Sequence, residues 1–115
     1  MPVSYNGRRF RAVAQSPNGE VSGETVFQYR QEGSRVWATY EGGNVRNGHL
    51  IATVDDAGAL DMRYHHISGQ ERLMTGTCRS VPELLPDGRL RLHEEWQWTS
   101  GDLSQGHSIV EEIPQ

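Results

Sequence analysis

Lysine is absent from the 115 residues, so all eleven basic residues are arginines, and with fifteen Asp and Glu the net charge is −4. A nucleic-acid partner calls for a basic footprint, yet the basic residues cluster only at Arg8, Arg9 and Arg11, as a solvated strand edge would also show. Cysteine occurs once, at Cys78, which excludes an intramolecular disulfide and a structural thiolate zinc site. No apolar run approaches membrane-spanning length. The start, Met-Pro-Val-Ser-Tyr-Asn-Gly, has no basic stretch followed by an apolar one. The expectation is a cytoplasmic protein with neither nucleic acid nor membrane as partner. Amphipathic helical spacing is missing as well, so nothing is at hand to cover one face of an open sheet.

What the chain does have is turns. Asn6-Gly7, Ser16-Pro17-Asn18-Gly19, Glu32-Gly33-Ser34, Gly42-Gly43, Asn47-Gly48, Asp56-Ala57-Gly58, Ser68-Gly69-Gln70, Pro86-Asp87-Gly88 and Ser100-Gly101-Asp102 recur at hairpin intervals. Asn-Gly and Asp-Gly adopt the positive φ angles of type I′ turns at little cost. Between the turns the spacing predicts strands over Arg8–Gln15, Glu24–Gln31, Arg35–Glu41, His49–Val54, Ala59–Ile67, Arg72–Val81, Arg89–Thr99 and His107–Ile113. In Arg89–Thr99, Leu90, Leu92, Glu94, Trp96 and Trp98 share one face, opposite Arg91, His93, Glu95 and Gln97. That is the period-two pattern of a half-buried strand. In Ala59–Ile67 the same alternation sets Leu60, Met62, Tyr64 and His66 against Asp61, Arg63 and His65. Trp37 is ambiguous, because Val36, Ala38 and Tyr40 compete for the inward face. The stretch Ser80–Gly88, with Pro82 and Pro86, reads as an irregular crossing or rim loop.

The fold expected is all-β: one domain over residues 1–115, an up-and-down meander of about eight antiparallel strands closed into a small calycin-like barrel. Closure removes both exposed edges and the wet apolar face. A two-sheet β-sandwich is the alternative.

The segments Leu60-Asp61-Met62-Arg63-Tyr64-His65-His66, Leu73-Met74-Thr75-Gly76 and Leu92-His93-Glu94-Glu95-Trp96-Gln97-Trp98-Thr99-Ser100-Gly101-Asp102 resemble a family of short bacterial proteins labelled "N-acetylglutamate synthase". The resemblance extends to Val36-Trp37-Ala38-Thr39-Tyr40 and Ile109-Val110-Glu111-Glu112-Ile113, and implies a lipocalin-like small barrel. It transfers no catalytic residues. The usual acetyltransferase fold needs a glycine-rich pyrophosphate loop between a strand and a helix, and the sequence offers neither that loop nor that helix.

The candidate site residues follow from the strand faces. Glu94 sits on an apolar face between Leu92 and Trp96. A carboxylate there must raise its pKa or find a partner. It is a candidate general base, general acid or ligand anchor; structurally it would close a network with Tyr64 or an inward Arg. His66, near a strand end, is a candidate proton-transfer or substrate-orienting group. Tyr40, Met62, Tyr64, Trp96 and Trp98 are candidates for an apolar ligand-binding wall, or simply core. His65 and His66 point to opposite faces and His93 with Glu95 lies on the polar face, so neither a metal nor another cofactor is expected. No recognisable catalytic motif is present. The functional expectation is a barrel that binds a small, partly apolar ligand. One alternative is a cofactor-free isomerase, cyclase or lyase with Glu94 as base. The other is a structural or oligomerising domain with a filled core, for which a homodimer is the natural partner.

Overall fold

The computed structural model describes residues 3–114; Met1, Pro2 and Gln115, part of the expected single domain, lie outside the described residues. Alternation sets the inside and outside of each strand. On β3 (Arg35–Gly42) Val36, Ala38 and Tyr40 are buried, which turns Trp37 out to 40% exposure. On β7 (Leu90–Trp98) Leu90, Leu92, Trp96 and Trp98 are buried while His93, Glu95 and Gln97 face water. The other strands are β1 (Arg9–Gln15), β2 (Val26–Glu32), β4 (Val45–Val54), β5 (Leu60–Ser68), β6 (Leu73–Leu84) and β8 (Gln105–Glu112). Each pairs antiparallel with the next, and β8 returns to β1, so the eight strands form a closed barrel in sequence order. An eight-stranded barrel has an interior just wide enough for side chains or one small ligand.

Two local expectations need correction. Ser80–Gly88 is not an irregular crossing: β6 runs straight through to Leu84, and Pro82 stands opposite Leu92 of β7. Pairing with β5 ends at Ser80, so beyond it β6 has a partner on one side only. Proline, which has no N–H to donate, is tolerated in such a locally edge position. Asn47-Gly48 is not a turn either. It lies inside β4, where Gly48 faces Tyr40. A Cβ on Gly48 would come within 2.4 Å of the Tyr40 ring, so glycine is there to let an aromatic lie flat across the neighbouring strand. The same pairing recurs at Gly76 with Tyr64 and at Gly106 with Trp96, where a Cβ would approach to 2.3 Å and 2.6 Å. Aromatic side chains laid over strand glycines are a recognised way of covering the gap in a curved sheet.

The barrel has two unlike ends. At one, the described residues ahead of β1 fold across the opening: Tyr5 is fully buried, its hydroxyl donates to the Gly58 carbonyl, and its N–H donates to Gln31 Oε1 at 2.8 Å. Tyr29 and Phe10 pack behind it, their rings edge to face at 5.0 Å. Glu112 is buried here but well served, taking Arg8 Nη1 at 2.6 Å and the Leu90 N–H at 3.0 Å. At the other end the opening is spanned by the β1–β2 connection, residues 16–25.

Candidate functional site

Below the β1–β2 connection lies an interior cavity of about 50 Å³. That volume holds a few waters, and is far below the ~300–1,000 Å³ of drug-sized ligand pockets. Glu94, His66, Tyr40, Tyr64, Met62, Trp96 and Trp98 all line it. The barrel thus brings together every residue singled out from the strand faces. Phe27, Leu50, Cys78 and Ser108 complete the wall, and Gly19, Glu20 and Val21 form the cover.

Register sets depth. Trp98 lies level with Gly76 and Tyr64, Trp96 with Cys78 and Met62, and Glu94 one step further in with Ser80 and Leu60. The mouth is aromatic: Trp98 meets Tyr64 edge to face at 5.8 Å and His66 at 5.7 Å, while Trp96 and Trp98 are tilted at 5.5 Å. Quadrupole attraction favours such edge contacts over flat stacks.

His66 is 2% exposed and engaged at both ring nitrogens. Nε2 lies 2.6 Å from Glu20 Oε1, and Nδ1 lies 2.9 Å from the Tyr40 hydroxyl. The tautomer of the ring sets whether the Tyr40 hydroxyl donates to Nδ1 or accepts from it. Trp98 Nε1–H donates to the Asn18 carbonyl at 3.2 Å, a second tie between wall and cover. Glu20 had no local signal in the sequence. Its role depends on a loop of about ten residues folding back over a mouth 46 positions away in the chain.

Glu94 is the group left least satisfied. Neither Tyr64 nor an arginine pairs with it. Ser108 Oγ donates to Glu94 Oε1 at 3.0 Å. Ser80 stands directly opposite and its hydroxyl favours the ionised form, but it falls short of hydrogen-bond geometry and its oxygen is left without a partner. The buried Tyr29 hydroxyl also lacks a partner among the described residues. Desolvation dominates these two hydroxyl contacts and pushes the Glu94 carboxyl up from 4.5 to about 7. The side chain keeps some accessible surface, and it fronts the cavity. Burial likewise drives the Cys78 thiol and the Tyr40 and Tyr64 phenols upward, so all three are neutral near pH 7. Among the described residues, no group of three or more His, Cys, Asp or Glu is placed to hold a metal ion.

These features define a class: a meander barrel of eight antiparallel strands, plugged at one end and enclosing an aromatic, acid-containing cavity at the other. Residues 3–113 match the family model described as avidin-like protein. The chain belongs to the avidin-like protein family. No curated protein and no solved structure matches it. The small eight-stranded barrel expected from the sequence is thereby shown, and the family shown is the avidin-like one; the narrower resemblance to proteins labelled "N-acetylglutamate synthase" gains no support from the comparisons.

Proposed function

We propose that the protein binds a small, partly apolar molecule in this cavity, with Tyr40, Tyr64, Trp96 and Trp98 as walls, Glu94 as polar anchor and the Gly19–Val21 segment as cover. The carrying observation is the cavity itself. A carboxylate without a cation partner is enclosed by aromatics, and burying it costs stability that a purely structural barrel would save with an apolar residue. Membership in the avidin-like family supports the same reading. The volume beneath the closed cover is small, so a ligand larger than a few waters must displace the Gly19–Val21 segment.

The test is a thermal-shift and tryptophan-fluorescence screen of small, partly apolar compounds, biotin among them. It compares the wild type with Cys78→Leu, whose larger side chain fills the cavity. Compounds that stabilise the wild type but not the filled variant bind where proposed. Compounds that act equally on both bind elsewhere, and the reading fails.

A second reading, a base that abstracts a proton from a bound substrate, is favoured by the burial of Glu94 beside the cavity, which pushes its carboxyl up to about 7. Turnover that falls along the acid limb of Glu94 and vanishes in Glu94→Gln distinguishes catalysis from binding. Self-association fits the binding reading too. Trp37 and Ile51 are cross-strand neighbours on the outer wall, 40% and 63% exposed, and sedimentation of a Trp37→Arg variant tests whether copies meet there.

A further inference from the structure

Resting on the small-ligand reading, we propose that the cavity is selective for a compact organic monocation, a primary amine or amidine. Its N–H groups would meet Glu94 and its apolar body would lie against Met62, Tyr64, Trp96 and Trp98. Charge is the first ground. Among the described residues, the titratable groups that line the cavity with Glu94 on the neighbouring strands are Tyr40, Tyr64 and Cys78, which are neutral acids, and the hydroxyls of Ser80 and Ser108 flank it; none is a cation. Among the described residues no arginine lines the cavity, and the basic ring that does, His66, is held by Glu20 and Tyr40. Glu20 adds a second carboxylate at the mouth. Once Glu94 is ionised the interior field is negative, which repels an anion and attracts a cation.

The walls are the second ground. Trp96, Trp98 and Tyr64 line the cavity, and an ammonium that lies over the face of any of these rings gains from the aromatic quadrupole. The unpartnered Ser80 hydroxyl, directly across the strand pair from Glu94, is the third, because it leaves an acceptor beside the carboxylate for a ligand with several N–H donors. A cation next to Glu94 also removes the desolvation penalty, since its field favours the ionised carboxylate.

The experiment uses the whole protein in a Trp37→Phe background, so that the fluorescence comes from Trp96 and Trp98. The probes are butylamine, butanol and butyrate, which share a shape and differ in charge. Butylamine is expected to bind at least tenfold more tightly than the other two, a difference of about 1.4 kcal/mol. Glu94→Gln is expected to abolish that preference, and Glu20→Gln to leave most of it. In the wild type, butylamine affinity should fall by up to about tenfold per pH unit below the Glu94 titration, because the cation binds the ionised form. This pH series needs no substitution and stands even if Glu94→Gln folds poorly. Equal binding of butanol, or tighter binding of butyrate, overturns the cation assignment while leaving a small-ligand barrel intact. A preference that survives Glu94→Gln overturns the role of Glu94. Silence from all three probes at millimolar concentration also overturns the proposal. The broader reading then still stands or falls on the comparison with Cys78→Leu.

Discussion

The barrel holds one carboxylate at its plugged end and another at the floor of the cavity that opens toward its mouth, and treats them in opposite ways. At the plugged end Glu112 receives a guanidinium from Arg8 and a backbone N–H from Leu90, and a fully buried Tyr5 seals the opening. Toward the mouth Glu94 has one serine hydroxyl bond, a cavity in front of it, and a cover pinned by a few polar contacts. An end built for stability satisfies its charges internally, whereas an end built for recognition leaves them for an incoming partner. The contrast lies in the surroundings, because both carboxylates come from the same all-β framework.

The largest expected effect lies at the plugged end. Tyr5→Ala removes a fully buried aromatic together with its hydrogen bond to Gly58. Truncations of this kind cost about 3–5 kcal/mol. Denaturant unfolding should show the loss, with the Trp96 and Trp98 fluorescence of the native state unchanged. A loss below about 1 kcal/mol would mean the segment ahead of β1 is an appendage rather than a plug.

Next in size is the pH dependence carried by Glu94. Its folded-state pKa is raised from 4.5 to about 7, so its contribution is fully present below about pH 4.5 and is lost as pH climbs through 7. Relative to Glu94→Gln, the wild type should lose stability across that window and level off above it. The ceiling is on the order of 3 kcal/mol, and contact with the cavity reduces it. Taking the difference from Glu94→Gln cancels the opposite contributions of Glu83, Asp87 and Asp102, whose pKa values are lowered. Parallel curves for the two proteins would show that Glu94 is well solvated and erase the contrast with Glu112.

Gly76→Ala tests the wall between the two ends. The added Cβ would stand 2.3 Å from the Tyr64 hydroxyl and ring, so the ring must swing toward Trp98 or into the cavity. Overpacking of this sort costs about 1–3 kcal/mol. Tryptophan emission should shift with it, and a variant with neither change would show that Tyr64 has room to yield.

These aromatic–glycine pairs mark where sequence reasoning stopped. Period two was enough to place Glu94, Met62, Tyr64, His66, Trp96 and Trp98 on inward faces, because inward and outward positions alternate along a single strand. Which glycine lies across from which aromatic is a matter of register between strands, and Asn47-Gly48 carried a turn signature although its glycine serves Tyr40. Pro82 misled similarly: its effect depends on whether β5 still lies alongside, which no local window shows. Glu20 was invisible for a third reason, since a loop's path over the barrel mouth has no periodicity to betray it.

The smallest effect on stability belongs to the cover, and it decides whether the mouth is separable from the barrel beneath. Glu20→Ala removes the contact with His66 Nε2 but leaves the other ties in place. Asn18 still donates to Ser104 Oγ at 2.9 Å and to the Gln105 carbonyl at 3.0 Å, and Trp98 Nε1–H still donates to Asn18. Glu20 is 21% exposed, so its removal lets water reach the vacated place beside His66 Nε2, while Nδ1 keeps its Tyr40 partner. The expected cost is about 1 kcal/mol or less. Access should change more than stability does. In a Trp37→Phe background, acrylamide quenching of Trp98 should rise, because the segment Gly19–Val21 is held over the mouth by one contact fewer. A cost of several kcal/mol would place the cover within the folding core, and unchanged quenching would place the closing force in Asn18 rather than in Glu20.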